Sequence, residues 1–371
     1  LKSPQPPRRD RGPGGGVPWD AAVMAPRARR PGPGRRRCSL GRLAAAAAGA
    51  LAASARGTGA AAADAGSALA AARALVPPPP TLQKNGEFEG WEFWEEHDDL
   101  LARAWQELGP RNQGLYLYGP AFEERYLHRD LREAADAARR GKGEELAKAL
   151  FQERAPGVFA SDRLFTEDFR QDLLDELEHV DGSGIPKRRP NGMNRYGVVL
   201  DQVGLQTALE GLVAAHVRPL AAMLFPELVG AEDAEEHYAF TVRYEAAGDT
   251  ELAKHADASV ATLNLCLGRR GWKGGALRFF DSGGSGIYAL PRGNASAGAG
   301  DVEFSPGLAL FHRGQHKHQA LPLLSGERTN VIIWLFGRDG VVRAAPFARH
   351  EQLSAGQRWG VSFGRRSQRE L

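Results

Sequence analysis

The spacing of apolar positions changes character once along this chain, near residue 237. Before that point apolar residues recur every three to four positions, and after it every second one. In WEFWEEHDDLLARAWQEL, residues 91–108, Trp94, Leu101, Trp105 and Leu108 stand at helical intervals. Residues 121–151 read as one or two further helices broken near Gly141 and Gly143. In FTEDFRQDLLDELEHV, Phe169, Leu173, Leu177 and Val180 form one apolar stripe, with Thr166 placed as N-cap and Glu167 and Asp168 at the positive helix end. A last helical run covers 204–224 and is expected to bend or split at Pro219.

From 237 onward HYAFTVRYE alternates Tyr238, Phe240, Val242 and Tyr244 against polar or small partners. SVATLNLCLG alternates less cleanly, and GGALRFF, GLALFHRG and TNVIIWLFG read as further strands. Turn residues separate these runs, and no helix-length pattern lies between them. Strands joined by loops alone pair antiparallel, so the fold class is α+β: a sandwich or jelly roll (double-stranded β-helix) with the N-terminal helices packed outside it.

Composition and charge refine the boundaries. With 42% hydrophobic and 25% charged residues, the 371-residue chain has a globular balance. Residues 1–63 hold twelve Lys or Arg against Asp10 and Asp20, a net of +10, which leaves −7 for the remainder of a chain whose total is +3. Basic character therefore belongs to the leader and gives no support to nucleic-acid binding by the body, whose acidity suits a basic peptide. The chain opens on Leu1, and Met24 reads as a start residue. The eight arginines that follow, with no acid before Asp64, and the alanine-rich run have the make-up of a secretory signal or an organellar transit peptide, the alternative being low-complexity sequence. Destination follows: secretory pathway or organelle if the leader is a targeting segment, cytoplasm otherwise. No run reaches the length of a membrane span. Two cysteines, Cys38 and Cys266, exclude a disulfide framework. VPPPPT at 76–81 is a stiff boundary. The expected organisation is a leader over 1–63, a helical region over 64–150, a catalytic domain over 151–340 and a tail over 341–371. The Gly-, Ser- and Ala-rich loop from Asp281 to Asp301 is either a substrate lid or an insertion.

The candidate chemistry begins in LAKHADASVATLNLCLG, residues 252–268. Strand alternation would put His255 and Asp257 on one face, with Lys254 and Ala256 behind. A third ligand is expected from His312, His316 or His318, which would share one strand parity. Two imidazoles and a carboxylate can hold one face of an octahedral iron(II) and leave three positions open. A zinc hydrolase would accept the same ligands, but no HExxH helix supplies its base and Arg328 would go unexplained.

These residues resemble the 2-oxoglutarate and iron(II)-dependent dioxygenases, closest to their prolyl- and lysyl-hydroxylase-like branch. VRYEAAGDTELAKHADASVATLNLCLG is similar to the strand pair that carries HxD in that branch, and HQALPLLSGER to its distal histidine followed ten residues later by arginine. RPNGMNRYGVVLD, residues 189–201, is similar to a segment of plant and algal oxygenase-domain proteins. The match covers about 155–340. The resemblance implies His255, Asp257 and His318 as iron ligands, Arg328 for the far carboxylate of 2-oxoglutarate, Tyr244 as a further hydroxyl on that carboxylate, and His312 and His316 in supporting or rim positions. It implies iron(II), 2-oxoglutarate, O2 and ascorbate as cofactors, and hydroxylation of an unactivated C–H bond with release of succinate and CO2. The substrate it implies is a prolyl or lysyl residue of a protein. The alternatives are a small molecule, or a silent metal-binding module. Thr262 and Asn264 would face the pocket by parity.

Overall fold

The computed structural model describes residues 66–79, 91–191, 193–226, 228–230, 237–269, 271–280 and 300–336. The expectations for the leader, for most of the 281–301 loop and for the 341–371 tail fall outside these residues. Nine helices are described: α1 Ala68–Arg73, α2 Trp91–Glu96, α3 Asp98–Leu108, α4 Pro120–Tyr126, α5 Arg129–Arg139, α6 Glu144–Leu150, α7 Glu167–Gly182, α8 Gln206–Leu212 and α9 Arg218–Leu224. None of them is long and apolar enough to cross a membrane.

Local chemistry accounts for the helix boundaries. The Thr166 hydroxyl accepts a hydrogen bond from the Phe169 amide and caps α7, whose stripe Phe169, Leu173, Leu177 and Val180 is buried as the spacing predicts. The helical run expected over 91–108 is two helices, broken at His97. The run over 121–151 breaks at Gly141, where φ is +67°, and also earlier, at Leu127. The 204–224 run splits next to Pro219, as expected. One π-type turn over Val213–Val217 separates α8 from α9, and Pro219, which lacks the N–H for a regular helical bond, falls in the opening turn of α9.

Twelve strands follow the helices or sit among them: β1 Gln152–Ala155, β2 Val158–Ser161, β3 His237–Glu245, β4 Leu252–His255, β5 Ala261–Gly268, β6 Lys273–Gly274, β7 Leu277–Phe279, β8 Asp301–Val302, β9 Ala309–Arg313, β10 His318–Ala320, β11 Leu323–Ser325 and β12 Glu327–Leu335. Their pairings are antiparallel. Six strands form one sheet in the order β1-β2-β9-β5-β12-β3, four form a second in the order β4-β10-β7-β8, and β11 pairs with β6. The architecture is thus helices with antiparallel sheets. The β1–β2 hairpin escapes the period-two reading because QERA exposes nearly every side chain.

The large sheet is buried on both faces, which is why β5 alternates poorly in sequence. On one side Leu263, Leu265, Leu267, Val331 and Ile333 pack with Phe122, Phe169, Leu209 and Leu212 of the helices. On the other, Tyr238, Phe240, Ile332 and Trp334 meet Leu277, Phe279 and Ala320 of the four-stranded sheet. The helices therefore form a layer against the sheet. Leu263, 1% exposed at that contact, tests it: Leu263→Ala should lower stability by about 2–5 kcal/mol, read as a lower urea midpoint at unchanged slope. An unchanged midpoint would mean that the helical layer does not close on β5.

Candidate metal centre

Strand pairing brings the first two side chains together. β4 and β10 are neighbours, and His255 stands opposite His318 in their register, with ring centroids 4.3 Å apart. Asp257 lies two residues past the end of β4, where the Asp257 amide donates to the Gly314 carbonyl at 2.8 Å. Gly314 makes this approach possible, since a Cβ there would lie 1.9 Å from the Ser259 carbonyl oxygen. The outcome is a triad whose ligand atoms lie within 4.8 Å of one another. The His255 Nε2 is 3.4 Å from Asp257 Oδ1, and the His318 Nε2 is 3.6 Å from the same oxygen.

Hydrogen bonds behind the triad decide which atoms face inward. His255 Nδ1 contacts the Ala253 carbonyl at 2.8 Å, and His318 Nδ1 contacts the His316 carbonyl at 2.8 Å. A carbonyl oxygen only accepts, so each Nδ1 carries a proton, and each Nε2 turns a lone pair to the centre when its imidazole is neutral. The Thr262 hydroxyl donates to Asp257 Oδ2 at 2.7 Å and is itself 2.8 Å from Ser259 Oγ. Oδ1 is thereby left for the centre.

The protonation states suit a cation. Burial alone would raise the Asp257 carboxyl, but His318, His255 and His312 around it outweigh burial and hold it below the usual carboxylate range. Burial pushes His318 down to about 3 and so keeps it neutral. Burial also opposes protonation of His255, but the hydrogen bond and charge of Asp257 prevail and raise it. Two neutral-capable imidazole nitrogens and one ionised oxygen, converging without a described cationic side chain between them, fit a divalent metal.

Two expectations are corrected. His255 and Asp257 converge, but not by alternation along one strand, because β4 ends at His255. Nor do the three downstream histidines share a strand: the chain turns between Arg313 and His318, separating His312 on β9 from His318 on β10. His312 is fully buried behind the triad, its Nε2 3.8 Å from Asp257 Oδ2. His316, pushed down to about 4 by burial, packs on Phe279 at 5.0 Å. Lys254 points away, its ammonium 3.9 Å from the Phe280 ring centroid on the exposed side.

Arg328 and the triad line one cavity of about 1020 Å³, open mouth included. Arg328 is 2% exposed, forms an ion pair with no described carboxylate, and donates through one Nη to the Gly275 carbonyl while its Nε has no partner. Gly275, at φ +73°, leaves room for it, since a Cβ would come within 2.8 Å of the guanidinium. The rings of Phe304 and Tyr244 flank the guanidinium carbon at 4.7 and 5.2 Å. Tyr244 is the cross-strand partner of Arg328. Thr262 and Asn264 line the cavity as parity suggests. Asn191, Asn194 and Asn330 line it as well and were not singled out by sequence reasoning. Asn330 follows Arg328 by two residues on one strand, so parity would have found it; Asn191 and Asn194 come from irregular backbone that no period reveals.

Residues 109–230 match the OGFOD2-like domain. The chain is 41% identical over 173 residues to a human 2-oxoglutarate and iron-dependent oxygenase domain-containing protein 2, covering 46% of this chain and 47% of that one. It is 36% identical over 200 residues to the Arabidopsis thaliana 2-oxoglutarate and iron-dependent oxygenase domain-containing protein ICU11, covering 52% and 48%. It thus spans about half the length of these curated relatives. A solved prolyl 4-hydroxylase from Phytophthora capsici overlays with a TM-score of 0.41 at 16% identity, over 63% of this chain and 74% of that one, too loosely to carry an argument.

Thr262→Val keeps the volume and removes the hydroxyl that holds Asp257 Oδ2. Affinity for cobalt(II) as a spectroscopic probe should fall about 10- to 100-fold, and an unchanged titration would show that Thr262 does not orient the carboxylate. His318 also predicts a pH dependence. Its folded pKa lies below the unfolded value, so between about 6.5 and 3 the unfolded chain binds the extra proton and stability falls as pH falls. Metal-free protein should therefore melt at progressively lower temperature across that window, and His318→Asn should melt with a shallower decline; equal slopes would refute the assignment.

Proposed function

We propose that this homologue of the 2-oxoglutarate and iron-dependent oxygenase domain-containing proteins is itself a 2-oxoglutarate- and iron(II)-dependent dioxygenase, built on a jelly-roll core. His255, Asp257 and His318 would hold iron(II) through Nε2, Oδ1 and Nε2. Arg328 would bind the far carboxylate of 2-oxoglutarate, with the Tyr244 hydroxyl beside it. The observation that carries this reading is the Arg328 charge, buried in the wall of the triad's own cavity with no described carboxylate in ion-pair contact. An unpaired buried cation is costly, and a bound carboxylate relieves that cost with a planar fork of donors. A silent metal-binding module would have no use for it.

Iron(II), when bound, supplies the redox chemistry in which O2 decarboxylates 2-oxoglutarate to succinate and CO2 and a substrate C–H bond is hydroxylated. The chain's share is placement and exclusion of water. The backbone carbonyls of Ala253 and His316 orient the two imidazoles, Thr262 presents one oxygen of Asp257, and Arg328 with Tyr244 fixes the distal end of the co-substrate. Phe240, Val242, Ile332 and Trp334 give the cavity an apolar wall, which favours the aliphatic part of a prolyl or lysyl side chain as substrate. Ascorbate would serve as reductant in turnover.

Two variants separate the roles. His318→Ala should abolish stoichiometric iron(II) binding and succinate formation together. Arg328→Gln should leave iron binding intact while weakening 2-oxoglutarate by roughly 10²-fold, a loss of about 2–5 kcal/mol for an unpaired buried charge partner, read by calorimetric titration. Retention of wild-type 2-oxoglutarate affinity in Arg328→Gln would sink the reading.

A further inference from the structure

The segment RPNGMNRYGVVLD, residues 189–201, supplies no ligand to the metal centre, yet its backbone is tied down on both sides of Asn194. Before that residue, the Pro190 carbonyl accepts from the Tyr238 hydroxyl at 2.7 Å. After it, the buried Asp249 takes the Arg195 amide on Oδ2 at 2.8 Å and Arg195 Nε on Oδ1 at 2.9 Å. The Tyr196 and Val198 carbonyls then accept from the Arg243 and Thr241 amides of β3. Gly197, at φ +149°, permits that approach, since a Cβ there would lie 2.0 Å from the Thr241 carbonyl oxygen. The segment is thus laced along the outer edge of β3, the strand that carries Tyr244.

Hydrogen bonds fix which way the Asn194 amide turns. Backbone amides only donate, so the Asn191 atom that accepts from the Met193 and Asn194 amides, each at 2.8 Å, is Oδ1. The other Asn191 atom is then Nδ2, a donor, and the Asn194 atom 3.0 Å from it is the acceptor Oδ1. Asn194 Nδ2 therefore points away from Asn191. Its interaction there is with the Tyr244 hydroxyl, on the wall of the triad's cavity that both residues line. The contact falls short of a well-formed hydrogen bond, so the buried Nδ2 donor is left without an aligned acceptor. Such a donor, on a side chain 1% exposed, is costly to leave unused.

We propose that Asn194 is a positioning residue for 2-oxoglutarate: by donating from Nδ2 to the Tyr244 oxygen, it turns the phenolic O–H toward the distal carboxylate. A hydroxyl can donate or accept, whereas a carboxylate ligand rewards only donation. An amide N–H cannot accept, so beside it the Tyr244 oxygen acts as acceptor and its own proton is left for the ligand. Burial raises the Tyr244 phenol above its ordinary range, against the opposing pull of Arg328 and Asn194, so that proton is retained. A hydrogen bond to a carboxylate is charge-assisted, and orienting the O–H in advance secures it. Asn191 fixes Asn194, and Asn194 fixes Tyr244; neither asparagine touches the carboxylate. The inference rests on the oxygenase reading, which places that carboxylate between Arg328 and Tyr244.

Calorimetric titration of 2-oxoglutarate into the iron(II)-loaded full chain, without oxygen, tests the role. Asn194→Leu, which nearly keeps the volume and removes the donor, should weaken 2-oxoglutarate about tenfold with iron(II) stoichiometry unchanged, and Tyr244→Phe should weaken it similarly. The two losses should not add: in the Tyr244→Phe background, Asn194→Leu should cost less than about twofold, whereas a merely structural asparagine would matter equally in both backgrounds. 2-Oxopentanoate, which has the chelating end but no distal carboxylate, should bind the wild type and Asn194→Leu alike. If Asn194→Leu fails to fold, Asn194→Asp is isosteric and still accepts from Asn191; Tyr244 then donates to the new carboxylate, so 2-oxoglutarate should weaken while 2-oxopentanoate does not. Wild-type affinity in the Asn194 variant or in Tyr244→Phe, additive losses in the double variant, or an equal loss for 2-oxopentanoate would each overturn the proposal, and the oxygenase reading would stand as long as Arg328→Gln loses 2-oxoglutarate. A wild-type chain that does not bind 2-oxoglutarate would overturn both.

Discussion

The Asp257 carboxylate is a charge withdrawn from water, and much of the surrounding structure follows from keeping it there. It is 5% exposed, and a buried carboxylate is stable only where cations or donors replace its hydration. The His255 imidazole and the Thr262 hydroxyl do so, from β4 and β5, with His312 and His318 packed around the carboxylate from β9 and β10. The turn at Gly314 completes the arrangement by holding the Asp257 backbone. Four strands of two sheets thereby converge on one carboxylate, and the sheets must enclose that point for the electrostatics to hold.

The same enclosure explains Arg328. A guanidinium this deep normally has a carboxylate beside it, and among the described residues none forms an ion pair with it. One end of the cavity thus carries negative charge and bare imidazole nitrogens, and the other a positive charge in aromatic packing. Such polarity selects a ligand that brings a metal-chelating end and an anionic end. The apolar wall between them excludes water and strengthens both interactions.

Much of this was legible in the amino-acid sequence. The switch of period at 237 located β3, β5, β7, β9 and β12 to within a few residues, and the stripe of α7 with its Thr166 cap held in full. His255 and Asp257 could be singled out because imidazole and carboxylate are scarce in apolar strands, whereas the choice of His318 and the role of Arg328 came from the family resemblance, through the ten-residue spacing between them. The two-residue spacing of His255 and Asp257 pointed to convergence for a reason that proved local: the strand stops at His255, and a turn rather than a pleat completes the geometry. The sequence could not separate His312 from His318 by period, since parity has meaning only while the chain remains one strand.

Tertiary structure decided the remainder. Which imidazole nitrogen faces the centre depends on carbonyls placed by the backbone path, and neither composition nor spacing carries that path. Asn191 and Asn194 reach the cavity on irregular chain, to which no periodicity applies. A net charge of −7 after residue 63 describes the body as a whole, yet folding brings Lys187, Arg188, Arg189, Arg195, Arg243 and Arg269 to line one cavity, with Asp181 among them. Net charge is a sum over the whole chain, whereas an incoming ligand meets only the charges within a screening length of it. Periodicity and residue type determined the layers and the chemistry on offer; strand register, turns and the meeting of distant segments determined where that chemistry is brought to bear.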